Sequence, residues 1–362
     1  MTRIAVLGAN GQVGAEVCLI LRARGADVVP IARNRFGSAF LRYHGLPCRH
    51  GRAADPAQAP ALLGDCDVVL NLALASVAGR PSEARRINRA LAENAAFASP
   101  AGARIIHCST IEVYGDHRPG PRIRWRNAYG REKLAGERAA RRAGRRAGRE
   151  VYVLRLGHVC GEHQNITRVM REHLTRPPVL VPRIDRPSNT VHTATLADAV
   201  LSIAAGRERP GTYDLFNRPQ WSWRAVFTHE AARCGLRAEF AVAPEPERAA
   251  RLARGVVRVL DRGGWAKELA LRTMARLSPA WNGRAQALLY RTRAAAETAA
   301  LARPRQTLMN GLDWIDLERR RLSGLSPTAD LLSSGAWAVP PREPGRSWPD
   351  DLPLAQSGGR VA

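Results

Sequence analysis

The sequence predicts an α/β fold: a doubly wound parallel sheet joined to a smaller, mainly helical C-terminal part. Three observations predict it. Short apolar runs alternate with helical stretches as far as about residue 160. A glycine turn, Gly8-Ala9-Asn10-Gly11-Gln12-Val13-Gly14, follows the first apolar run and opens the first helix. Beyond residue 160 the alternation loosens and helical stretches take over. Strands that alternate with helices connect through right-handed crossovers, which build a parallel sheet covered on both faces.

Residues 4–8 read as a buried strand, and a helix covers about 12–24 until Gly25 closes it. Val28-Val29-Pro30-Ile31 resumes a strand, and Cys66-Asp67-Val68-Val69-Leu70-Asn71 is the next. A helix over about 82–98 leads to Arg104-Ile105-Ile106-His107-Cys108. Another over about 128–147 leads to Val151-Tyr152-Val153-Leu154-Arg155. Thr190-Val191-His192 and Thr212-Tyr213-Asp214-Leu215 are short strands, and about 222–305 reads mainly as helices. From about residue 323 the chain is rich in Pro, Gly and Ser and reads as a partly ordered tail. The division expected is 1–160 with returning segments near 185–220, then a second part over 161–322, then the tail over 323–362.

Of the 362 residues, 45% are apolar, an ordinary share for a globular protein, and no apolar stretch is long enough to span a bilayer. The start runs straight into a strand, without a secretory leader pattern, so the expected location is the cytoplasm. Cys18, Cys48, Cys66, Cys108, Cys160 and Cys234 form no CxxC pair and read as reduced thiols, with no metal site expected. The net charge is +24, yet only Lys133 and Lys267 among the 56 basic residues are lysines. Arginine and alanine dominate the helices, as coding bias produces, and no nucleic-acid motif accompanies the charge. A specific nucleic-acid partner is therefore not expected. The basic field suits attraction of an anionic nucleotide.

Each glycine of the turn has a physical task. One permits the tight turn, the next lets backbone amides approach a pyrophosphate, and the third lets the helix pack close to the sheet. The helix N-terminus adds free N–H groups and a positive dipole end. Gly8, Asn10, Gly11, Gln12, Val13 and Gly14 are thus candidate dinucleotide-binding residues. An NAD site places a carboxylate at the end of the second strand, to take the ribose 2′-hydroxyl. Here that place holds Ala32, followed by Arg33-Asn34-Arg35. A guanidinium pairs with a 2′-phosphate, so Arg33 favours NADP over NAD.

Tyr129 and Lys133 stand four apart on a predicted helix and so share a face. An ammonium near a phenol is expected to lower the tyrosine pKa. Such a phenol exchanges a proton with a carbinol or carbonyl oxygen while hydride moves to or from a nicotinamide. Upstream, the hydroxyls of Ser109 and Thr110 leave the end of a strand, where side chains face the crevice of a parallel sheet.

These residues together resemble the extended short-chain dehydrogenase/reductases, the NAD-dependent epimerase/dehydratase family. The resemblance rests on Gly8/Gly11/Gly14, Asn71-Leu72-Ala73, the Ser109–Gly115 run, Tyr129 with Lys133, and Arg155-Leu156-Gly157-His158-Val159-Cys160-Gly161. Val191-His192, Leu196-Ala197-Asp198-Ala199 and Gly211-Thr212-Tyr213-Asp214-Leu215 extend it to about residue 230. The glycine turn and Tyr129–Glu137 are similar to stretches of dTDP-4-dehydrorhamnose reductases. The resemblance implies a Rossmann domain, a nucleotide-linked sugar as substrate, and a catalytic set of Thr110, Tyr129 and Lys133. It also implies that Asn71, Ala73, Tyr129 and Lys133 line the cofactor. Departures are informative. The family's sugar 4,6-dehydratases carry an Asp-Glu pair after the threonine, whereas this chain has Ile111-Glu112, which disfavours dehydration. Glu112 and His158, the latter where the family often has Asn, are candidate substrate contacts. Arg52 stands where an acidic residue is usual.

Two activities fit, a ketoreductase that consumes NADPH and an epimerase that retains its cofactor. A non-catalytic cofactor-binding regulator or scaffold is the alternative from another class. A homodimer is the expected assembly. In the last third, Trp265, Leu269, Ala270, Met274 and Leu277 recur at helical spacing with Arg262, Lys267, Arg272 and Arg276 between them. This reads as a helix packed on the core or, alternatively, as one resting weakly on an anionic membrane surface.

Overall fold

A seven-stranded parallel sheet organises the computed structural model, which describes residues 2–75, 81–114, 128–181, 188–217 and 221–242. In chain order the first half runs β1 (Arg3–Leu7), α1 (Gln12–Ala23), β2 (Asp27–Ala32), α2 (Ala39–Tyr43), β3 (Arg49–His50), α3 (Ala59–Leu63), β4 (Val68–Asn71) and α4 (Pro81–Phe97). There follow β5 (Arg104–Thr110), α5 (Ala128–Ala147), β6 (Glu150–Leu156), β7 (His158–Cys160), α6 (Asn165–Leu174), β8 (Val179–Val181) and β9 (Thr190–His192). The last elements are α7 (Thr193–Ala204), β10 (Gly211–Leu215), α8 (Trp223–Arg233) and β11 (Phe240–Val242). The sheet order is β10–β6–β5–β4–β1–β2–β3. The chain therefore winds outward one way from β1 and then the other way from β4. The crevice above the carboxyl ends of β1 and β4 is the switch point where such sheets bind ligands.

Strand periodicity explains the two covering layers. Ile4 and Val6 of β1 face a core shared with Val17, Cys18 and Leu21 of α1 and with Leu196 and Val200 of α7. Ala5 and Leu7 point the other way, into a core with Leu62 and Leu63 of α3 and Leu91 and Ala95 of α4. Side chains that alternate sides at every residue require a cover on each face, and the helices supply it. A third core, with Met170, Leu174, Val179, Trp223 and Phe227, joins α6, β8 and α8. Two small parallel pairs lie outside the main sheet, β7 with β9 and β8 with β11.

The doubly wound expectation holds, with strands and helices shifted by one or two residues. The strand expected from Cys66 starts at Val68, because Cys66 closes a turn on Leu63 through a 3.1 Å backbone hydrogen bond. The helical expectation from residue 222 holds at α8 and fails at Phe240–Val242. That β-prone run pairs with Val179–Val181, and Val179 N donates to Glu239 O at 2.8 Å. The expected helices beyond residue 242, the Trp265–Leu277 stretch and the tail lie outside the described residues. All six cysteines are free, and Cys18, Cys66, Cys108 and Cys160 are buried. No helix among the described residues is long and apolar enough to cross a membrane.

Candidate active site

The glycine turn closes between β1 and α1 by a hydrogen bond from Gly11 N to Gly8 O, 2.9 Å. Gly8 has φ +79°, a left-handed conformation open to glycine, and a Cβ there would come within 2.8 Å of Ala73 N. At Gly14 a Cβ would lie 2.3 Å from Gly8 O, so only glycine lets α1 approach the turn this closely. A Cβ at Gly11 meets only Gly8 O, at 3.2 Å, so the outer face of the turn stays open. The first α1 residues, Gln12 and Val13, present their backbone amides at that face, with Gly11 as the N-cap. This is a cradle that fits the diphosphate of a dinucleotide. Asn71 ends β4 buried beside the turn, and its Oδ1 accepts from Ala73 N at 3.2 Å. On the other side Asn10 abuts the loop after β2, where a Cβ on Gly37 would meet Asn10 Nδ2 at 3.1 Å. Arg33 is exposed, immediately after β2.

The catalytic candidates converge at the carboxyl end of β5. Thr110 is its last residue and is buried, with Oγ1 accepting from Glu112 N at 3.3 Å. Residues Ile111–Tyr114 form a short 3₁₀ turn against α5. Tyr129 and Lys133 lie in the first turns of α5, with Lys133 Nζ 5.9 Å from the centre of the Tyr129 ring. Lys133 is buried and donates to Cys108 O at 2.9 Å, which ties α5 to β5 directly below Ser109 and Thr110. An ammonium carries three donors, and this contact uses one. Burial lowers the Lys133 pKa.

Tyr129 corrects one expectation. Its ring is 39% exposed, yet burial, followed by the charges of Glu112 and Cys108, pushes the phenol up to about 12. The expected lowering by Lys133 does not prevail, because burial is the largest influence on the phenol and the Glu112 charge the next. Like an ordinary phenol, Tyr129 is protonated at neutral pH. His158 sits on β7, half-buried, with its ring 5.7 Å from Trp223 of the third core. It thus belongs to a packing unit different from that of Tyr129 and Lys133.

A family model described as the NAD dependent epimerase/dehydratase family matches residues 4–201. The chain belongs to this family. A dTDP-6-deoxy-L-talose 4-dehydrogenase (NAD(P)(+)) from Kitasatospora kifunensis is 32% identical over 176 residues, 45% of this chain and 54% of that protein. The chain thus spans about half the length of the curated relative it matches. The fold is similar to UDP-N-acetylglucosamine 4-epimerase from Bacillus cereus, at TM-score 0.54 and 20% identity, covering 67% of this chain and 85% of that one. It is also similar to a dTDP-4-dehydrorhamnose reductase from Clostridium acetobutylicum, at TM-score 0.50 and 21% identity, covering 67% and 84%.

Within this epimerase/dehydratase-family site, sequence reasoning missed a buried polar network behind the Thr110 turn. Glu137, fully buried one turn beyond Lys133, accepts from Ser109 Oγ (2.6 Å), Arg155 Nε (2.9 Å), Arg155 Nη2 (2.8 Å) and Arg141 Nη2 (3.0 Å). Burial works to raise the Glu137 pKa, but the Arg155 and Ser109 bonds win and lower it. Arg155 Nη1 donates to the Tyr114 hydroxyl at 2.9 Å, and that hydroxyl donates to the Asp214 carboxylate at 2.6 Å. The chain of bonds links α5, β5, β6 and β10 to the end of the 3₁₀ turn that follows Thr110. The signal was present in the sequence, since Glu137 extends the Tyr129–Lys133 face by four more residues. A carboxylate on an inward helix face requires a partner. His107 is a second omission. Buried on β5, its ring lies over Gly136, where a Cβ would come within 2.9 Å of its Nε2. Burial, followed by the charge of Lys133, pushes the His107 pKa down to about 3.

Proposed function

We propose that this chain is an NAD(P)-dependent oxidoreductase that reduces a carbonyl on a nucleotide-linked sugar, with NADPH preferred. The observation that carries this reading is Tyr129, half-open, with the Nζ of buried Lys133 5.9 Å from its ring centre, beside the strand end that bears Thr110. The dinucleotide, when bound in the glycine cradle, supplies the hydride. Tyr129 gives its proton to the carbonyl oxygen, and the Thr110 hydroxyl steadies that oxygen as charge develops on it. Lys133 keeps two donors for the phenol and the nicotinamide ribose. Glu112, close enough to raise the Tyr129 pKa, faces the same space and contacts the sugar. His158 contributes from the β7 side. The stretches similar to dTDP-4-dehydrorhamnose reductases, the glycine turn and Tyr129–Glu137, favour reduction over the retained-cofactor cycle of an epimerase. Arg33 at the end of β2, with Ala32 before it, favours the 2′-phosphorylated cofactor. The name of the talose dehydrogenase relative points to a deoxysugar nucleotide.

The test is a screen of keto-sugar nucleotides and ordinary sugar nucleotides with NADPH and with NADH. Net oxidation of NADPH by a keto-sugar nucleotide is the expected result, and turnover without net redox change would establish the epimerase instead. On the substrate found, Tyr129→Phe should lower kcat by about 10²–10⁴-fold while dinucleotide affinity is kept. Lys133→Arg keeps the charge, but a wide planar head cannot replace a compact ammonium, so turnover should also collapse. Near-full turnover in Lys133→Arg would refute the assigned roles.

A further inference from the structure

Glu16 lies in the second turn of α1, two residues after Gly14, and is 2% exposed. Its carboxylate accepts four hydrogen bonds, none from within α1. Glu162 N donates to Oε1 at 2.9 Å, His163 N to Oε2 at 3.2 Å, Gln164 Nε2 to Oε2 at 2.7 Å, and Thr193 Oγ1 to Oε1 at 2.8 Å. Among the described residues, Glu137 and Glu230 are carboxylates with no exposure at all, and both pair with arginines. Glu16 has no ion pair among the described residues and is held by N–H and O–H groups alone. A buried carboxylate is stable only with its lone pairs filled in this way.

The placement of the four donors gives the arrangement its meaning. β7 and β9 run parallel, with His158 opposite Thr190 and Cys160 opposite His192. Glu162, His163 and Gln164 follow the end of β7, and Thr193 follows the end of β9. One carboxylate on the cofactor-turn helix therefore closes the carboxyl end of the strand pair that carries His158. Gly161 is required for this approach, since a Cβ there would lie 2.4 Å from Glu16 Oε1. The same loop also reaches the glycine turn. Gln164 Nε2 donates to Gln12 O at 3.1 Å, and Asn165 N donates to Gln12 Oε1 at 3.2 Å.

We propose that Glu16 is a positioning residue that fixes the β7–β9 pair, and with it His158, to the helix behind the dinucleotide turn. It sets the substrate side relative to the cofactor side without touching either ligand. The proposal rests on the nucleotide-sugar reading above. Glu16→Gln keeps the size but turns an amide NH₂ toward donors, so at least one of the four bonds becomes a clash of donors. Thr193→Val removes a single donor at nearly constant volume and is the milder variant.

The experiment uses the full chain, with NADPH affinity read by fluorescence titration and substrate-side affinity read by calorimetry with dTDP and with UDP. Hydrogen exchange across residues 158–165 is followed by mass spectrometry. In Glu16→Gln, NADPH affinity should stay within about threefold of the parent. Diphosphate affinity should fall on the order of tenfold to a hundredfold, as misplacement of a remote support does. Exchange at residues 162–165 should accelerate, and Thr193→Val should shift both readouts the same way by less. Unchanged exchange in both variants, or an equal loss of NADPH and diphosphate affinity, overturns the proposal. A parent protein that binds NADPH but neither diphosphate removes the nucleotide-sugar reading, and the exchange measurement then still decides the role of Glu16.

Discussion

Replacing Glu137 by glutamine isolates the charge that organises the floor of the site. In the parent, this fully buried carboxylate meets two Arg155 nitrogens at 2.8 and 2.9 Å, Ser109 Oγ at 2.6 Å and Arg141 at 3.0 Å. Glutamine keeps one acceptor oxygen and turns an NH₂ toward the others. The Arg155 guanidinium, 16% exposed, then loses its counter-charge. Breaking a buried pair from one side costs about 3–5 kcal/mol, and the retained amide oxygen places this case near the lower end, about 3 kcal/mol. At about 2–4 °C per kcal/mol for a domain of this size, Tm should fall by roughly 6–12 °C. The pH dependence carries a sign. The folded-state pKa of Glu137 lies below its ordinary 4.5, so its stabilisation is complete above that value and disappears as pH falls through the folded value. The Tm gap between parent and Glu137→Gln, followed by circular dichroism, should therefore be flat near neutrality and narrow in acid. The double variant Glu137→Gln/Arg155→Met removes the stranded charge and should recover part of the loss. A gap below about 2 °C, or one that persists undiminished in acid, refutes the claim that this ion pair carries the stability of the site floor.

Two further substitutions test independent features. Arg33→Ala should weaken NADPH about tenfold to a hundredfold, the worth of one charge-assisted contact, while NADH binding barely changes; equal losses in paired fluorescence titrations would remove the 2′-phosphate role. His107→Leu should flatten the acid limb of stability, because a histidine held at about 3 against an ordinary 6.5 leaves the unfolded chain one proton richer between those values. Stability then falls by about 1.4 kcal/mol per pH unit on acidification from this residue alone, so denaturant unfolding at about pH 6 and 5 should show a slope shallower by that amount in the variant.

The parts of this structure legible in the sequence are those that repeat a period or demand a special backbone. Gly8 and Gly14 stand out because no other residue tolerates 2.3–2.8 Å to a neighbouring carbonyl or amide, and that constraint fixes the β1–α1 turn. The helix at Ala128–Ala147 is legible in full because its inner residues recur at 3.6 spacing over five turns. Elements such as Arg49–His50, Ala59–Leu63 and Phe240–Val242 are too short to display any period, and the two strands among them are decided by long-range pairing with β2 and β8. The buried polar network was hidden for a related reason. Glu137 is marked by its place on the Tyr129–Lys133 face, but its partners Arg155 and Asp214 are ordinary charged letters in an arginine-rich chain until the sheet brings β5, β6 and β10 side by side.

The Tyr129–Lys133 pair shows where local spacing stops determining chemistry. Four residues on a helix guarantee a shared face, and the structure shows the ammonium 5.9 Å from the ring centre. Whether that proximity lowers the phenol pKa depends on what else claims the ammonium and what else faces the phenol. The Cys108 carbonyl claims the first at 2.9 Å, and Glu112 faces the second. Neither contact follows from the i, i+4 relation. The first arises because α5 packs on β5, and the second because β5 ends at Thr110 and turns at once into Ile111–Tyr114, which carries Glu112 toward α5. The same turn that sets Thr110 in place thus also brings a carboxylate whose charge, after burial, works to raise the Tyr129 pKa.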